Sequence, residues 1–206
     1  MSSNPLLSIW LHPRATVRVL KENGSSTDVL IFAALSGIAS SLDNASNRNF
    51  CDVYPIGLML IVVAVVGPIG GLITVWLGST LISFTGDFLK GRARIHEIRL
   101  ALAWGLLPKT ASLIPWAVVI ASTGPMIFQS KEIDIEGEPL GALIAFLAAL
   151  IAIFTLNLWA FFTTSHALAE VQGFNSAWKA LLNVVLAFLL IVLPLVLLFT
   201  LIAFLR

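Results

Sequence analysis

One charged side chain, Lys109, lies deep inside a long apolar segment of the sequence, eleven residues after that segment begins at residue 98. In a helix this distance is about 16 Å. An ionisable group at that depth in a membrane costs at least ~2.5 kcal/mol and indicates a functional site by default. Asn157 lies at a similar depth in another segment, so one interpretation is a Lys109–Asn157 hydrogen bond inside the bundle. The competing interpretation, which we favour slightly, is that Lys109 extends to the membrane surface, or meets water where Pro108 breaks the helix.

Further polar side chains recur at near-helical spacing in and just after the apolar segment 140–168, which places them on one helix face. Such a face could form a polar groove for a lipid headgroup or an ion. The competing interpretation, which we favour, is hydrogen bonding between helices together with a tryptophan at the membrane interface. The residues concerned are Thr155, Trp159, Thr163, His166 and Glu170.

Motifs for catalysis or cofactor binding are absent from the sequence. It contains neither H-E-x-x-H nor G-x-S-x-G, and its three histidines are widely separated. The lack of a basic arm and of an RNA-binding motif also argues against a nucleic-acid partner. We therefore predict a protein that is not an enzyme and that has no cofactor and no metal.

The composition predicts that these polar residues are held by helices inside a membrane. The chain is 58% hydrophobic and only 11% charged, with a mean hydropathy of +0.97, whereas soluble domains are ~25% charged. The prediction is an all-α integral membrane protein with five transmembrane helices and a short N-terminal amphipathic helix. The apolar segments are 29–42, 55–85, 98–122, 140–168 and 177–205.

Two of the predicted spans have unusual lengths. Residues 29–42 would reach about 21 Å as a helix, short of the ~30 Å hydrocarbon core, so flanking residues must extend the span. Residues 55–85 would reach roughly 46 Å. Within them, the sequence around Pro68 predicts a kink or break near the middle of the membrane, because proline removes a backbone hydrogen bond. The residues of the predicted break are Gly67, Pro68, Gly70 and Gly71.

The same glycines predict how the first two spans pack. Gly67 and Gly71 form a G-x-x-x-G pattern, and Ala33, Gly37 and Ser41 repeat small residues at the same spacing. Small residues let helix backbones approach closely, so spans one and two are predicted to pack together within one chain. The alternative is a homodimer formed through this face.

Basic residues in the short connections predict the orientation, because cytoplasmic loops are rich in Lys and Arg. Eight lie on one side and three on the other if the N-terminus is cytoplasmic. We therefore predict five crossings, a cytoplasmic N-terminus, an external C-terminus and an outward-facing acidic stretch at 131–139. The membrane-surface basic residues, which could also hold anionic lipid or a partner protein, include Arg14, Arg18, Lys21, Lys90, Arg92 and Arg94.

The predicted organisation is an N-terminal cytoplasmic amphipathic segment, 1–27, followed by a five-helix transmembrane domain, 28–206. Within the first, residues 13–22 are predicted to form a helix on the membrane surface, because Pro13 suits a helix start and apolar and basic residues alternate after it.

Several strings along the whole chain resemble the short bacterial branch of the Yip family, the Ypt/Rab-interacting membrane proteins. They are NPLLSIWLHPRATVRVL (4–20), SNRNF (46–50), GPIGG (67–71), GRARIHEIRLALAWGLLP (91–108) and AEVQGFNSAWKALLN (169–183).

This resemblance implies a five-span protein that contacts membrane lipids and other membrane proteins, in the manner of the family's trafficking members. It also implies location in a bacterial plasma (inner) membrane. The sequence has no long cytosolic N-terminal extension of the eukaryotic kind, so GTPase binding is not carried over to it. The function expected is therefore a non-enzymatic membrane scaffold or adaptor. The alternative is a small transporter or channel that uses the broken second span and the Lys109 region.

Overall fold

The computed structural model describes residues 4–131 and 139–204. In these ranges the chain forms helices and no strand. Most of the predicted acidic stretch, residues 132–138, lies outside the described residues. The α-helices are α1 Pro5–Leu11, α2 Pro13–Asn23, α3 Ser26–Asn47, α4 Ile56–Phe88, α5 Ile95–Gly105, α6 Leu107–Ala111, α7 Leu113–Thr123, α8 Leu140–Gln172 and α9 Ala177–Phe204.

Five helical segments in the described part of the chain are long and apolar enough to cross a membrane. This confirms the prediction of an all-α membrane protein with five spans. Helices α5, α6 and α7 together form the third span, and each other span is a single helix. The spans are Ser26–Asn47, Ile56–Phe88, Ile95–Thr123, Leu140–Gln172 and Ala177–Phe204.

The first span is longer than its apolar run, as its predicted crossing of the membrane requires. Helix α3 has 22 residues, which is about 33 Å of helix and matches a ~30 Å hydrocarbon core. The hydroxyl of Ser25 caps its N-terminus by accepting a hydrogen bond from the backbone N–H of Thr27. Because the helix continues to Asn47, Asp43 lies inside the span rather than at its end.

The break predicted at Gly67, Pro68, Gly70 and Gly71 is absent from the second span. Helix α4 is continuous over 33 residues, with Pro68 inside it. A proline in a membrane helix removes only its own N–H donor, and packing against a neighbouring helix can compensate for that loss. The discontinuity occurs instead in the third span, where α5 ends before Leu106 and α6 ends before Ser112.

Close packing of α4 against α3 provides that support. A Cβ atom on Gly37 would overlap the carbonyl oxygen of Gly67, and one on Gly71 would overlap that of Ala33. The two backbones are therefore in direct contact, which confirms the predicted packing of spans one and two within one chain. In the structure this face is therefore occupied within one chain.

The N-terminal helices belong to the same hydrophobic core as the spans. The predicted helix at 13–22 is present as α2, but its apolar face packs against α5 and α8 rather than against lipid alone. Ile9 and Val17 are fully buried, and Leu20 is nearly so. The outer side of this segment still exposes Leu7 and Leu11, which suits contact with the membrane interface.

Helices α8 and α9 form a tight hairpin. Gly173 ends α8 in the left-handed region, at φ +69°, where glycine has no steric penalty. The hydroxyl of Ser176 then accepts from the backbone N–H of Trp178 at the start of α9. Buried residues of α9 are confined to its first half and end at Ala187.

Candidate intramembrane polar site

The interruption of the third span positions Lys109. Pro108 lies in the first turn of the five-residue helix α6, where its missing N–H costs little but ends the preceding helix. Lys109 follows directly and points toward α3 and α8, the two spans that pack against α6. A second interruption of one residue at Ser112 precedes α7, although Ser112 itself keeps right-handed helical backbone angles.

Lys109 forms an ion pair with Asp43 inside the bundle. Its Nζ lies 2.8 Å from Oδ2 of Asp43 and donates a second hydrogen bond to Oδ1 of Asn157, also at 2.8 Å. The other carboxylate oxygen of Asp43 accepts from Nε1 of Trp116 at 3.0 Å. The side chains of Lys109 and Asp43 are only 18% and 23% exposed. We call Asp43, Lys109, Trp116 and Asn157 the polar clamp, because they join α3, α6, α7 and α8.

The polar clamp pairs the charges of Lys109 and Asp43, each of which would be costly to bury alone in a membrane. A buried charge is tolerated when it is paired and its remaining hydrogen-bonding groups are satisfied. Asn157 contributes its oxygen to Lys109 and donates its Nδ2–H to the carbonyl of Ile153 at 3.0 Å. The arrangement can therefore hold four helices together without leaving an unpaired charge at the site.

The structure contains the hydrogen bond between Lys109 and Asn157 and does not bear out the favoured interpretation, in which Lys109 extends to the membrane surface or meets water. Asp43 and Trp116 were not predicted at this site. The apolar run 29–42 ends just before Asp43, and Lys109 was the charged residue that the sequence placed deep inside a span. The structure corrects this, since α3 carries Asp43 four residues before its end. A lysine in one span demands an acid at similar depth in another, and that demand could have identified Asp43.

The polar residues predicted to line one face of the fourth span do not form one polar groove. Trp159 and His166 line a common pocket between α8 and α9, but that pocket is mostly apolar. Thr155 and His166 interact with carbonyls of their own helix. Thr163 is buried and donates to the carbonyl of Gly105 at 2.6 Å, and Trp159 donates to the carbonyl of Trp10. The contacts of Thr163 and Trp159 are bonds between helices, as in the favoured interpretation, and Glu170 forms an ion pair with α2.

A second buried polar cluster, which the sequence analysis did not identify, joins α4, α8 and α9. The hydroxyl of Thr85 donates to Oδ1 of Asn183 at 2.6 Å. The amides of Asn183 and Gln172 donate to the carbonyl of Ile82. Gly86 leaves the space for both amides, since a Cβ there would lie 2.6 Å from Nε2 of Gln172. The cluster anchors the first half of α9 to the rest of the bundle.

Comparison with known families decides what this bundle is. A family profile, the Yip1 domain, matches residues 7–199. The chain belongs to the Yip1 domain family. No significant match was found among curated proteins or among solved structures. The Yip1 match confirms the resemblance seen in the sequence and includes the polar clamp, α2 and most of α9 in one domain.

The N-terminal part of the Yip1 domain is fixed to the ends of two spans by ion pairs. Nε of Arg18 lies 2.7 Å from Oε1 of Glu170 on α8, and Nζ of Lys21 lies 3.0 Å from Oε1 of Glu97 on α5. The hydrogen bond to Glu170 and its negative charge raise the pKa of Arg18 above its ordinary value. Arg14 donates a longer hydrogen bond to the carbonyl of Asn175.

The remaining basic residues predicted for the membrane surface lie in the connection between α4 and α5. Lys90, Arg92 and Arg94 are exposed. Two backbone N–H groups of this connection form hydrogen bonds. Arg92 N–H donates to the carbonyl of Gln172 at 3.2 Å, and Arg94 N–H donates to the side chain of Glu97 at 2.8 Å. The exposed side chains of this connection leave positive charge free at that end of the Yip1 domain.

Metal ligands are not gathered in the described residues of the Yip1 domain. No group of three His, Cys, Asp or Glu side chains in ranges 4–131 and 139–204 is placed to hold a metal ion.

Proposed function

We propose that this Yip1 domain protein is a non-enzymatic multi-pass membrane scaffold or adaptor that acts through contacts with other membrane proteins and with lipids. Its membership of the Yip1 family supports a membrane-associated role. The similarity of its strings to the short bacterial branch supports a bacterial plasma membrane. The bias of basic residues supports a cytoplasmic N-terminus and an external C-terminus.

The observation that carries this proposal is the exposed second half of α9. No described residue of this helix after Ala187 is buried. Side chains on all sides are accessible, including Phe188 at 63%, Leu193 at 54% and Leu197 at 67%. A span that leaves its own bundle over several turns offers a long apolar surface to neighbours in the membrane.

The polar clamp supports the same function. Its lysine, aspartate, asparagine and tryptophan are satisfied by one another, so the interactions of these charged groups serve to hold helices together. A scaffold needs a rigid bundle from which the contact surface of α9 extends.

Reversible crosslinking in native membranes, followed by purification of the tagged chain, tests the scaffold function. We expect a defined membrane protein to co-purify in a fixed ratio, and the variant Leu197→Trp to lower its yield because it reshapes the α9 surface. Leu147→Trp is the matched control, since Leu147 is similarly exposed, at 56%, on α8. Recovery of the chain with no partner in a fixed ratio would oppose the proposal.

One observation favours transport as a second candidate. The Lys109–Asp43 pair lies beside the discontinuity of the third span, and discontinuous helices often carry the binding sites of transporters. Purified protein in liposomes would then show ion or solute flux that disappears in Lys109→Met while the protein remains folded. Under the scaffold function, flux equals that of empty liposomes.

A further inference from the structure

A groove opens between the outer ends of α3 and α4, on the side of α3 away from the polar clamp. Its volume is about 330 Å³. One wall is polar and is contributed by α3, whereas the other wall is apolar and is contributed by α4. The lining residues used below are Ser41, Asn44, Arg48, Phe50, Met59 and Val66.

The polar groups of the α3 wall differ in type from one end of the groove to the other. Ser41, Asn44 and Arg48 follow one another at intervals of three and four residues, which places them on one face. Asn44 uses its Nδ2–H within the helix, donating to the carbonyl of Ser40 at 2.8 Å, so its amide oxygen remains available. From the centre of the span outward, the groove therefore presents a hydroxyl, an amide and a guanidinium group.

Arg48 lies at the level of the membrane interface. It follows directly after α3, whose 22 residues span about the ~30 Å of the hydrocarbon core. Phe50 and Tyr54 follow Arg48 by two and six residues, and their rings are 4.8 Å apart. Tyr54 is 44% exposed. Tyrosine is enriched at the headgroup level, so these rings mark the mouth of the groove as interfacial.

The guanidinium of Arg48 is the charged group at the mouth of the groove. Arg48 is exposed, and its side chain forms no ion pair with another residue in the described ranges. Arginine binds phosphate oxygens through parallel N–H donors, which makes a phosphate group a natural counterpart of an exposed arginine at this level. The positive mouth is therefore complementary to a phosphodiester.

The apolar wall has the length of one lipid chain. Val66 lies ten residues after the start of α4 at Ile56, which is about 15 Å of helix and equals one leaflet of a ~30 Å core. Met59 and Val63 form the floor of the groove and are nearly fully buried. Val66 is 55% exposed, at the deep end. An acyl chain along this wall would cover the exposed part of Val66.

We propose that this groove is a binding site for one glycerophospholipid of the outer leaflet. The phosphodiester lies against Arg48, the glycerol ester region lies beside Asn44 and Ser41, and one acyl chain follows α4 to Val66. The polarity of the groove changes in the same order as that of the lipid. The site does not rest on the scaffold function, because lipid binding by the isolated chain and recovery of a protein partner are separate measurements.

Native mass spectrometry of the full chain in detergent, with added phosphatidylglycerol, phosphatidylethanolamine or diacylglycerol, tests the site. We expect one molecule of either phospholipid to remain bound, and diacylglycerol, which lacks the phosphate, to bind at least tenfold more weakly. Arg48→Gln should weaken phospholipid binding about tenfold by removing the charge. Val66→Trp should weaken it by filling the deep end.

Lys131→Gln is the matched control, because Lys131 is an exposed cation in the connection that contacts the same end of α3. It should leave phospholipid binding unchanged. Both test positions are exposed, and circular dichroism with gel filtration would verify that the variants remain folded. Equal binding by the wild type, Arg48→Gln and Lys131→Gln, or equal retention of diacylglycerol, would overturn the site and assign the lipid to nonspecific surface contact.

Discussion

Nζ of Lys109 lies 2.8 Å from Oδ2 of Asp43, although 66 residues separate them in the sequence. This pair changes what a substitution of Lys109 is expected to do. For a lone ammonium, replacement by methionine would be neutral or mildly stabilising, since the cost of burying the charge disappears. In the structure, the same replacement leaves the Asp43 carboxylate without its cation.

Lys109→Met and Asp43→Asn should therefore each destabilise the protein. Breaking a buried pair costs roughly 3–5 kcal/mol, and the partial exposure of this pair lowers that to about 2–4 kcal/mol. The double variant Lys109→Met/Asp43→Asn should recover most of the loss because no charge remains. Unfolding by denaturing detergent in mixed micelles measures the cycle, with the exposed Lys131→Met as the control. Additive losses in the double variant would show that the two residues do not interact.

The neighbouring glycines of α4 offer a matched test of the contact between spans one and two. Gly71→Ala places a Cβ against the carbonyl of Ala33, and a Cβ on Gly70 meets no atom within 4 Å. We expect Gly71→Ala to lower the free energy of unfolding by about 1–3 kcal/mol through overpacking. Gly70→Ala should raise it by roughly 0.5–1 kcal/mol through helix propensity. The same detergent unfolding measures both, and equal effects of the two substitutions would contradict the packing of α3 on α4.

Helix α2 should detach when its buried face is charged. Val17 is fully buried, whereas Val19 is 58% exposed on the same helix. Val17→Asp buries an unpaired carboxylate and is strongly unfavourable, while Val19→Asp places the same charge on the outer side. Limited trypsin digestion of the protein in liposomes should cut within residues 13–23 much faster for Val17→Asp than for the wild type. If Val19→Asp is instead the more sensitive variant, the helix is held chiefly by lipid.

The topology prediction concerns the two ends of the chain. Reporters that are active only in the cytoplasm should give a signal when inserted in the connection between α4 and α5, and none when fused after the C-terminus. The reason is the bias of eight basic residues to three. A signal from both positions would mean that an even number of crossings separates them. A signal from the C-terminus alone would mean the inverse orientation, which removes the external placement of Arg48.

The number of spans could be predicted because lipid imposes it through the length of apolar runs. The contact face formed by Gly37, Gly67 and Gly71 could also be predicted from the sequence, since small residues at four-residue spacing let membrane helices pack closely. The continuity of α4 through Pro68 could not be predicted from the sequence, because it depends on packing against the backbone of a neighbouring helix. Proline removes the same hydrogen bond wherever it lies in a helix, and only packing decides whether the helix breaks.

The polar clamp was predictable only in part. Depth along a helix is encoded in residue number, so Asn157 could be matched to Lys109. Asp43 was hidden by the end of an apolar run that is shorter than the helix itself, since α3 continues through Asp43 and Asn44 to Asn47. The cluster of Thr85, Gln172 and Asn183 depends on the rotation of three helices about their axes, which the sequence alone does not specify.

Site-specific photo-crosslinking from α9 in native membranes tests the scaffold function most directly. A photoreactive residue at Leu197, 67% exposed, samples the surface that the account assigns to partners, and one at Ala187, 5% exposed, samples the packed half of the same helix. The account predicts discrete protein adducts of constant mass from position 197, and none beyond the chain's own segments from position 187. Adducts with lipid alone at position 197 would contradict it.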